Sequence, residues 1–179
     1  MSKIHLIRHG QSEFNAAYTG NGDVMIFDAP LTERGHTQAK ATRHRVADLG
    51  IETVICSPLT RAIQTARHIF PSTAMHVHPE TREHLAHSCD VGVPPAQLQA
   101  TFPDMEFDHL PEVWWHQGPL NALGIPVEPW DVFDARIARL KAELHAWKGR
   151  PLAVVCHGHV IRGLTGITPD NCDIVELEA

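Results

Sequence analysis

No stretch of this 179-residue sequence approaches the roughly 18 consecutive apolar residues that a helix needs to cross a bilayer. The opening residues, Met1 to His9, carry no secretory apolar core and run directly into a strand-like pattern, so a cytoplasmic location is expected. The four cysteines (Cys56, Cys89, Cys156 and Cys172) form no Cys-x-x-Cys pair, which excludes the usual disulfide and zinc frameworks and leaves reduced thiols. Excess positive charge is also lacking. A formal charge of −6 argues against nucleic acid as a partner, which normally calls for a basic stripe. Fourteen histidines raise the question of a metal. Yet His76, His78, His84, His87, His109 and His116 repeat no closed zinc spacing, so no metal and no cofactor is expected. Internal repeats and low-complexity segments are absent as well.

What is present reads as one α/β domain spanning residues 1–179. Ile4 to Ile7 is a buried strand that ends abruptly at Arg8, His9 and Gly10. Thr32 caps a helix running to about Leu49, where Gly50 ends it. Thr53 to Cys56 is a second strand. Ser57 and Pro58 then supply an N-cap and a first-turn proline for a helix to about Ile69. Residues 79–130 hold eight of the thirteen prolines and three of the four tryptophans, with little periodicity. They are expected to form an insertion packed over the active-site end of the sheet, with Trp114 and Trp115 burying it against the core. From Asp131 a helical period returns, with Phe133, Ile137, Leu140, Leu144 and Trp147 on one face. Gly149, Arg150 and Pro151 break it. Leu152 to Cys156 is a third strand, and Ile174 to Leu177 closes the sheet as an antiparallel edge. Such alternation predicts a three-layer α/β/α sandwich around a mostly parallel sheet.

Ligands of such sheets bind beyond the carboxyl ends of the strands. Three strands end here in chemically capable residues: Arg8, His9 and Gly10; Ser57 and Arg61; His157 and Gly158. One sheet edge would therefore gather two histidines and two arginines. Guanidinium forks match phosphate oxygens, and imidazole is both a competent nucleophile at neutral pH and a good leaving group. A phosphate ester and a phosphohistidine intermediate suit that set. Attack by His9 requires its other ring nitrogen to find a backbone acceptor, expected in the turn just after the first strand.

The runs Leu6–Asn15, Asp28–Gly35 with Gln38 and Ala39, Ser57–Ala66 and Val154–His159 resemble, in order and spacing, the histidine phosphatase superfamily in its phosphoglycerate-mutase-like branch. The resemblance implies that His9 takes the phosphoryl group, while Arg8, Arg61 and His157 bind it and stabilise the transition state. Asn15 and Gly158 would line the phosphate pocket. Glu83 would be the general acid, with Asp90 in reserve.

Residues 84–130 contain no Lys or Arg, and little sequence follows the last strand, where a mutase would carry a basic segment and a tail. A phosphatase acting on a phosphorylated small molecule is therefore expected. The alternatives are a phosphoglycerate mutase, a phosphohistidine-protein phosphatase or a silent phosphate-binding module. The edge strand and the insertion could each support a homodimer, and neither demands one.

Overall fold

The computed structural model describes residues 3–147, 149 and 151–177. Met1, Ser2 and Arg150, read above as part of the opening segment and the helix break, lie outside them. The elements in chain order are β1 (Ile4–Arg8), α1 (Glu13–Ala17), α2 (Glu33–Val46), β2 (Thr53–Cys56), α3 (Thr60–Ile69) and β3 (Met75–Val77), followed by α4 (Pro95–Thr101), α5 (Trp130–His145), β4 (Leu152–Cys156), α6 (Gly158–Thr165) and β5 (Ile174–Leu177). The strands lie in the order β3-β2-β4-β1-β5. Only the β1–β5 pair is antiparallel.

The period-2 alternation of strand side chains sorts the core into two layers. On β4, Ala153 and Val155 face one apolar cluster with α2 and α3, while Leu152, Val154 and Cys156 face the other with α5 and α6. On β1, Ile7 joins the first cluster, and Ile4 and Leu6 join the second. Both faces of the parallel strands are thus covered, as their continuous apolar runs require. The face expected on α5 is formed as read, with Phe133, Ile137, Leu140 and Leu144 buried.

Two expectations need correction. β3 pairs in parallel with β2 and is missing from the sequence reading, because three residues are too few to display a period. α3 starts at Thr60 with Leu59 as its N-cap residue, so Ser57 and Pro58 do not begin it. Its first amides are met from outside the helix: Leu59 N–H donates to Ser57 Oγ at 3.2 Å and Thr60 N–H to an Asp28 carboxylate oxygen at 2.9 Å. These amides are therefore not spare donors for an anion.

Within residues 79–130, Leu98, Phe102, Phe107, Leu110 and Trp114 extend the α2–α3 cluster. Trp114 is buried and its Nε1–H donates to Val93 O at 2.9 Å. The segment is also tied to α5 by an ion pair: Arg136, 1% exposed, meets both carboxylate oxygens of Glu128 at 3.1 and 2.8 Å. The same guanidinium donates to the backbone carbonyls of Glu80, Arg82 and Glu83. Removing one partner of such a pair leaves a buried charge unmatched. Arg136→Ala is expected to lower the unfolding free energy by about 3–5 kcal/mol in denaturant titration; a loss below about 1 kcal/mol would show that the network is not structural.

Candidate active site

β1 and β4 run in parallel side by side and stop in register, Arg8 opposite Cys156, so His9 and His157 leave the sheet at the same edge. Their rings lie 5.1 Å apart between centroids. His9 is held from several sides. Its backbone N–H donates to Cys156 O at 3.0 Å, and its carbonyl accepts from Asn171 Nδ2 at 3.0 Å. Its Nδ1 lies 2.7 Å from Gly10 O, an acceptor only, so the proton sits on Nδ1. The expected acceptor in the turn after the first strand is thus found. Nε2 keeps its lone pair, and Arg61 Nε–H points at it from 3.3 Å.

The turn after β1 is held by backbone contact. A Cβ placed on Gly10 would meet Gly35 O at 2.6 Å, and one on Gly35 would meet Gln11 O at 2.1 Å. Only glycine fits at either position, because the opposing atoms are main chain. Gly10 N–H also donates to Thr65 Oγ1 on α3 at 3.1 Å.

Arg61 is buried and all three of its donor groups are used: Nε on His9, one terminal nitrogen on Cys89 O at 2.6 Å, the other on Asp90 at 2.8 Å. Arg8 donates to Pro169 O at 2.8 Å, and its Nε is buried without a partner. His157 Nε2 lies 2.7 Å from Ser57 Oγ, while its Nδ1 is buried and unpartnered. In the tautomer where the Ser57 hydroxyl, which accepts from Leu59 N–H, donates to His157 Nε2, the imidazole carries its proton on Nδ1. That N–H is a ready donor for an anion.

Burial lowers the pKa of both histidines well below the ordinary value, and the neighbouring Arg61 charge adds to the effect. Both rings are neutral at physiological pH. Glu83 behaves differently. Burial pushes its carboxyl up, but bonds from His159 and from the His84 backbone, with Arg61 close by, bring it down to about 2. Oε1 accepts from His84 N–H at 2.9 Å, and Oε2 accepts from His159 N–H at 3.2 Å with His159 Nδ1 at 3.5 Å. The carboxylate in turn raises the pKa of His159.

Arg8, His9, Asn15, Arg61, Glu83, Asp90 and Gly158 all line one cavity of about 270 Å³. His157 lies beside it, packed on His9. Asn15 reaches the wall, although its side-chain oxygen is taken by Ser12 N–H at 3.2 Å in a capping box. Asp90 is the counter-ion of Arg61. Burial raises its pKa and Arg61 opposes the rise, while the amides of Ala86 and His87 fill its second oxygen. Trp114 and Trp115 do not line the cavity, and Arg82 is spent on Glu80 and Glu128. Sequence reasoning missed Phe14, Tyr18, His87, His159 and Arg162 as lining residues. The three-residue spacing of His159 and Arg162 on α6 was the available signal for that pair, since it puts both on one helix face.

Among the described residues no three His, Cys, Asp or Glu side chains are gathered as a metal site would need. No helix among them is long and apolar enough to cross a membrane.

The sequence model of the histidine phosphatase superfamily (branch 1) matches residues 4–171. A glucosyl-3-phosphoglycerate phosphatase of Mycobacterium tuberculosis is 30% identical over 175 residues, covering 91% of this chain and 73% of its own length. An adenosylcobalamin/α-ribazole phosphatase of Salmonella typhi is 28% identical over 170 residues, covering 89% and 75%. A 2,3-bisphosphoglycerate-dependent phosphoglycerate mutase of Lactiplantibacillus plantarum is 39% identical, but over only 84 residues. That match spans 46% of this chain and about a third (35%) of the mutase. In three dimensions, a mycobacterial glucosyl-3-phosphoglycerate phosphatase in complex with VO3 superposes with a TM-score of 0.66 at 24% identity, over 99% of this chain and 91% of its own.

The tautomer and burial of His9 set an expected outcome. Its Cε1–H resonance, assigned by comparison with His9→Gln, holds still from pH 7.5 to 5.5, because the ring stays neutral well below the usual midpoint. A midpoint between 6 and 7 would place the ring in water rather than in this pocket.

Proposed function

The chain belongs to the histidine phosphatase superfamily, branch 1, and on that footing we propose that it is a phosphatase. It hydrolyses the phosphate monoester of a small metabolite, without a metal, through a phosphohistidine on His9. The observation that carries this reading is the fixed tautomer of His9, with Nδ1 committed to Gly10 O and the Nε2 lone pair held beside Arg61.

Nε2 attacks phosphorus in line, and the bond from phosphorus to the leaving alcohol breaks. Arg8, Arg61 and the Nδ1–H of His157 take up the charge on the phosphoryl oxygens. Asn15 and Gly158 complete the wall of the phosphate pocket. Glu83 gives its proton to the leaving oxygen, then accepts one from the water that attacks phosphohistidine, so His9 leaves unprotonated at Nε2. Ester and water become alcohol and phosphate.

At a pKa of about 2, Glu83 has no proton to give in the ligand-free pocket. A bound phosphate changes that, because like charge close to a carboxylate raises its pKa. The productive complex therefore carries one proton shared between Glu83 and the phosphate. Turnover should rise as pH falls towards about 6, where a phosphate monoester gains that proton. Asp90 serves Arg61 instead, since four donors converge on its two oxygens: Arg61, the Cys89 thiol and two backbone amides.

Several features support phosphatase over mutase. The matches to the two phosphatases run over 170 and 175 residues, against 84 for the mutase. No Lys or Arg in residues 84–130 is available to hold a second acidic group. In this reading residues 79–130 are an insertion that caps the site of a single domain. The enzyme works in the cytoplasm on a phosphorylated small molecule and binds no nucleic acid; a homodimer is compatible with that chemistry.

The first test is hydrolysis of p-nitrophenyl phosphate from pH 4.5 to 8 in excess chelator. The expected result is turnover that chelator leaves intact and His9→Ala abolishes. Glu83→Gln should cost about 10²–10⁴-fold in kcat on an alkyl phosphate, and far less on p-nitrophenyl phosphate, whose leaving group needs no proton. An equal loss on both substrates would remove Glu83 from the role of acid.

A further inference from the structure

In-line attack puts the leaving oxygen opposite His9 Nε2, within reach of the acid that protonates it. Glu83 is bonded to both the backbone N–H and Nδ1 of His159, so on the phosphatase reading the alcohol departs towards the first turn of α6. His159 and Arg162 line the phosphate cavity, and the same two side chains line a second cavity of about 390 Å³. Its remaining walls are Trp130, Phe133, Asp134 and Gly163. The two cavities therefore share a wall on the side where the leaving group emerges.

Trp130 is the unusual member of this set. It is the first residue of α5 and is 56% exposed, although indole is a costly group to leave in water. One face is covered by His84, with ring centroids 3.9 Å apart and planes 9° from parallel. That partner is fixed, because His84 is buried and its Nε2 lies 2.8 Å from Glu128 O. Glu128 is in turn held by Arg136. Phe133 supports the indole edge at 88°, and His159 stands 5.7 Å away between centroids. The indole is thus rigid and half covered, one imidazole away from the acid. It is a stacking platform built before any ligand arrives.

We propose that this second cavity is the subsite for the leaving group, and that the leaving group carries a flat heteroaromatic ring. The ring stacks on Trp130, while a hydroxylated linker of about the width of one sugar spans His159 and reaches the phosphate. Asp134 accepts from hydroxyl or ring N–H groups, and Arg162 donates to acceptors on the linker. The substrate class is a nucleoside-type monophosphate. The other aromatic wall, Phe14, Tyr18 and His87, packs on itself and has no bond to Glu83, so it offers no proton to an alcohol leaving on its side.

The test compares adenosine 5′-monophosphate with ribose 5-phosphate, which differ by the base alone, in wild type, Trp130→Ala and Trp130→Phe. Wild type should favour the nucleotide through a lower KM. Trp130→Ala should raise that KM by roughly ten-fold, the size of one base–aromatic stack, and leave ribose 5-phosphate unchanged. Trp130→Phe should recover most of the loss. The unchanged sugar phosphate reports that the variant is folded. Equal handling of the two substrates by wild type, or an equal loss on both in Trp130→Ala, would overturn the aromatic subsite. If wild type hydrolyses neither, the phosphatase reading is what fails, and calorimetric titration with adenosine decides the subsite separately. Binding that disappears in Trp130→Ala sustains it, and no binding to wild type overturns it.

Discussion

Arg61 is the point at which three parts of the molecule meet. It rises from α3, points its Nε–H at His9 at the end of β1, and uses its terminal nitrogens on Cys89 and Asp90 in the segment that follows β3. Withdrawing a guanidinium from water is costly unless its nitrogens are matched, and here each of the three has a partner. One side chain thereby fixes the proposed nucleophile relative to the strand edge and the cavity wall relative to the nucleophile. Asp90 sets the strength of the arrangement. It offsets part of the charge of Arg61 within the buried pair itself.

The charge pattern around that point is divided by partner. Two buried imidazoles stay neutral beside two guanidinium groups because burial and the like charge act in the same direction. Across the cavity, Glu83 and His159 shift each other the opposite way, the acid down and the base up. The neutral imidazole of His9 and the charged pair line one pocket, and the difference lies in which group each side chain is bonded to. The carbonyl of Glu83 is also gripped by Arg136, so Glu83 and, through Glu128 and His84, the indole of Trp130 hang from one buried ion pair.

Much of the fold was legible in residue patterns. The apolar runs at Ile4, Thr53 and Leu152 are long enough to mark strands buried on both faces, and their endings placed His9, Arg61 and His157 on one edge. Four sequence blocks carried the family. Two kinds of feature were not legible. β3 is held by pairing with β2 rather than by any pattern of its own, and the start of α3 depends on Asp28, a residue distant in sequence that takes the place a local cap would have filled. The walls of the site were hidden for a similar reason. Tyr18, His87 and Arg162 lie on separate segments, and only the packing of residues 79–130 brings two of those segments together. Trp130 reads as the last residue of the proline-rich insertion, and nothing in its neighbourhood predicts that His84, far back in the chain, covers one side of it.

Gly10 and Gly35 touch main chain to main chain, with no side chain between them. The consequence concerns variation over time. A position set by side chains can drift through compensating changes, whereas one set by two bare backbones has no intermediate to drift through. The turn that carries His9 is therefore closed to gradual adjustment, and new selectivity can arise only in the walls around it. A lineage built on this turn would keep its reaction while exchanging its substrates.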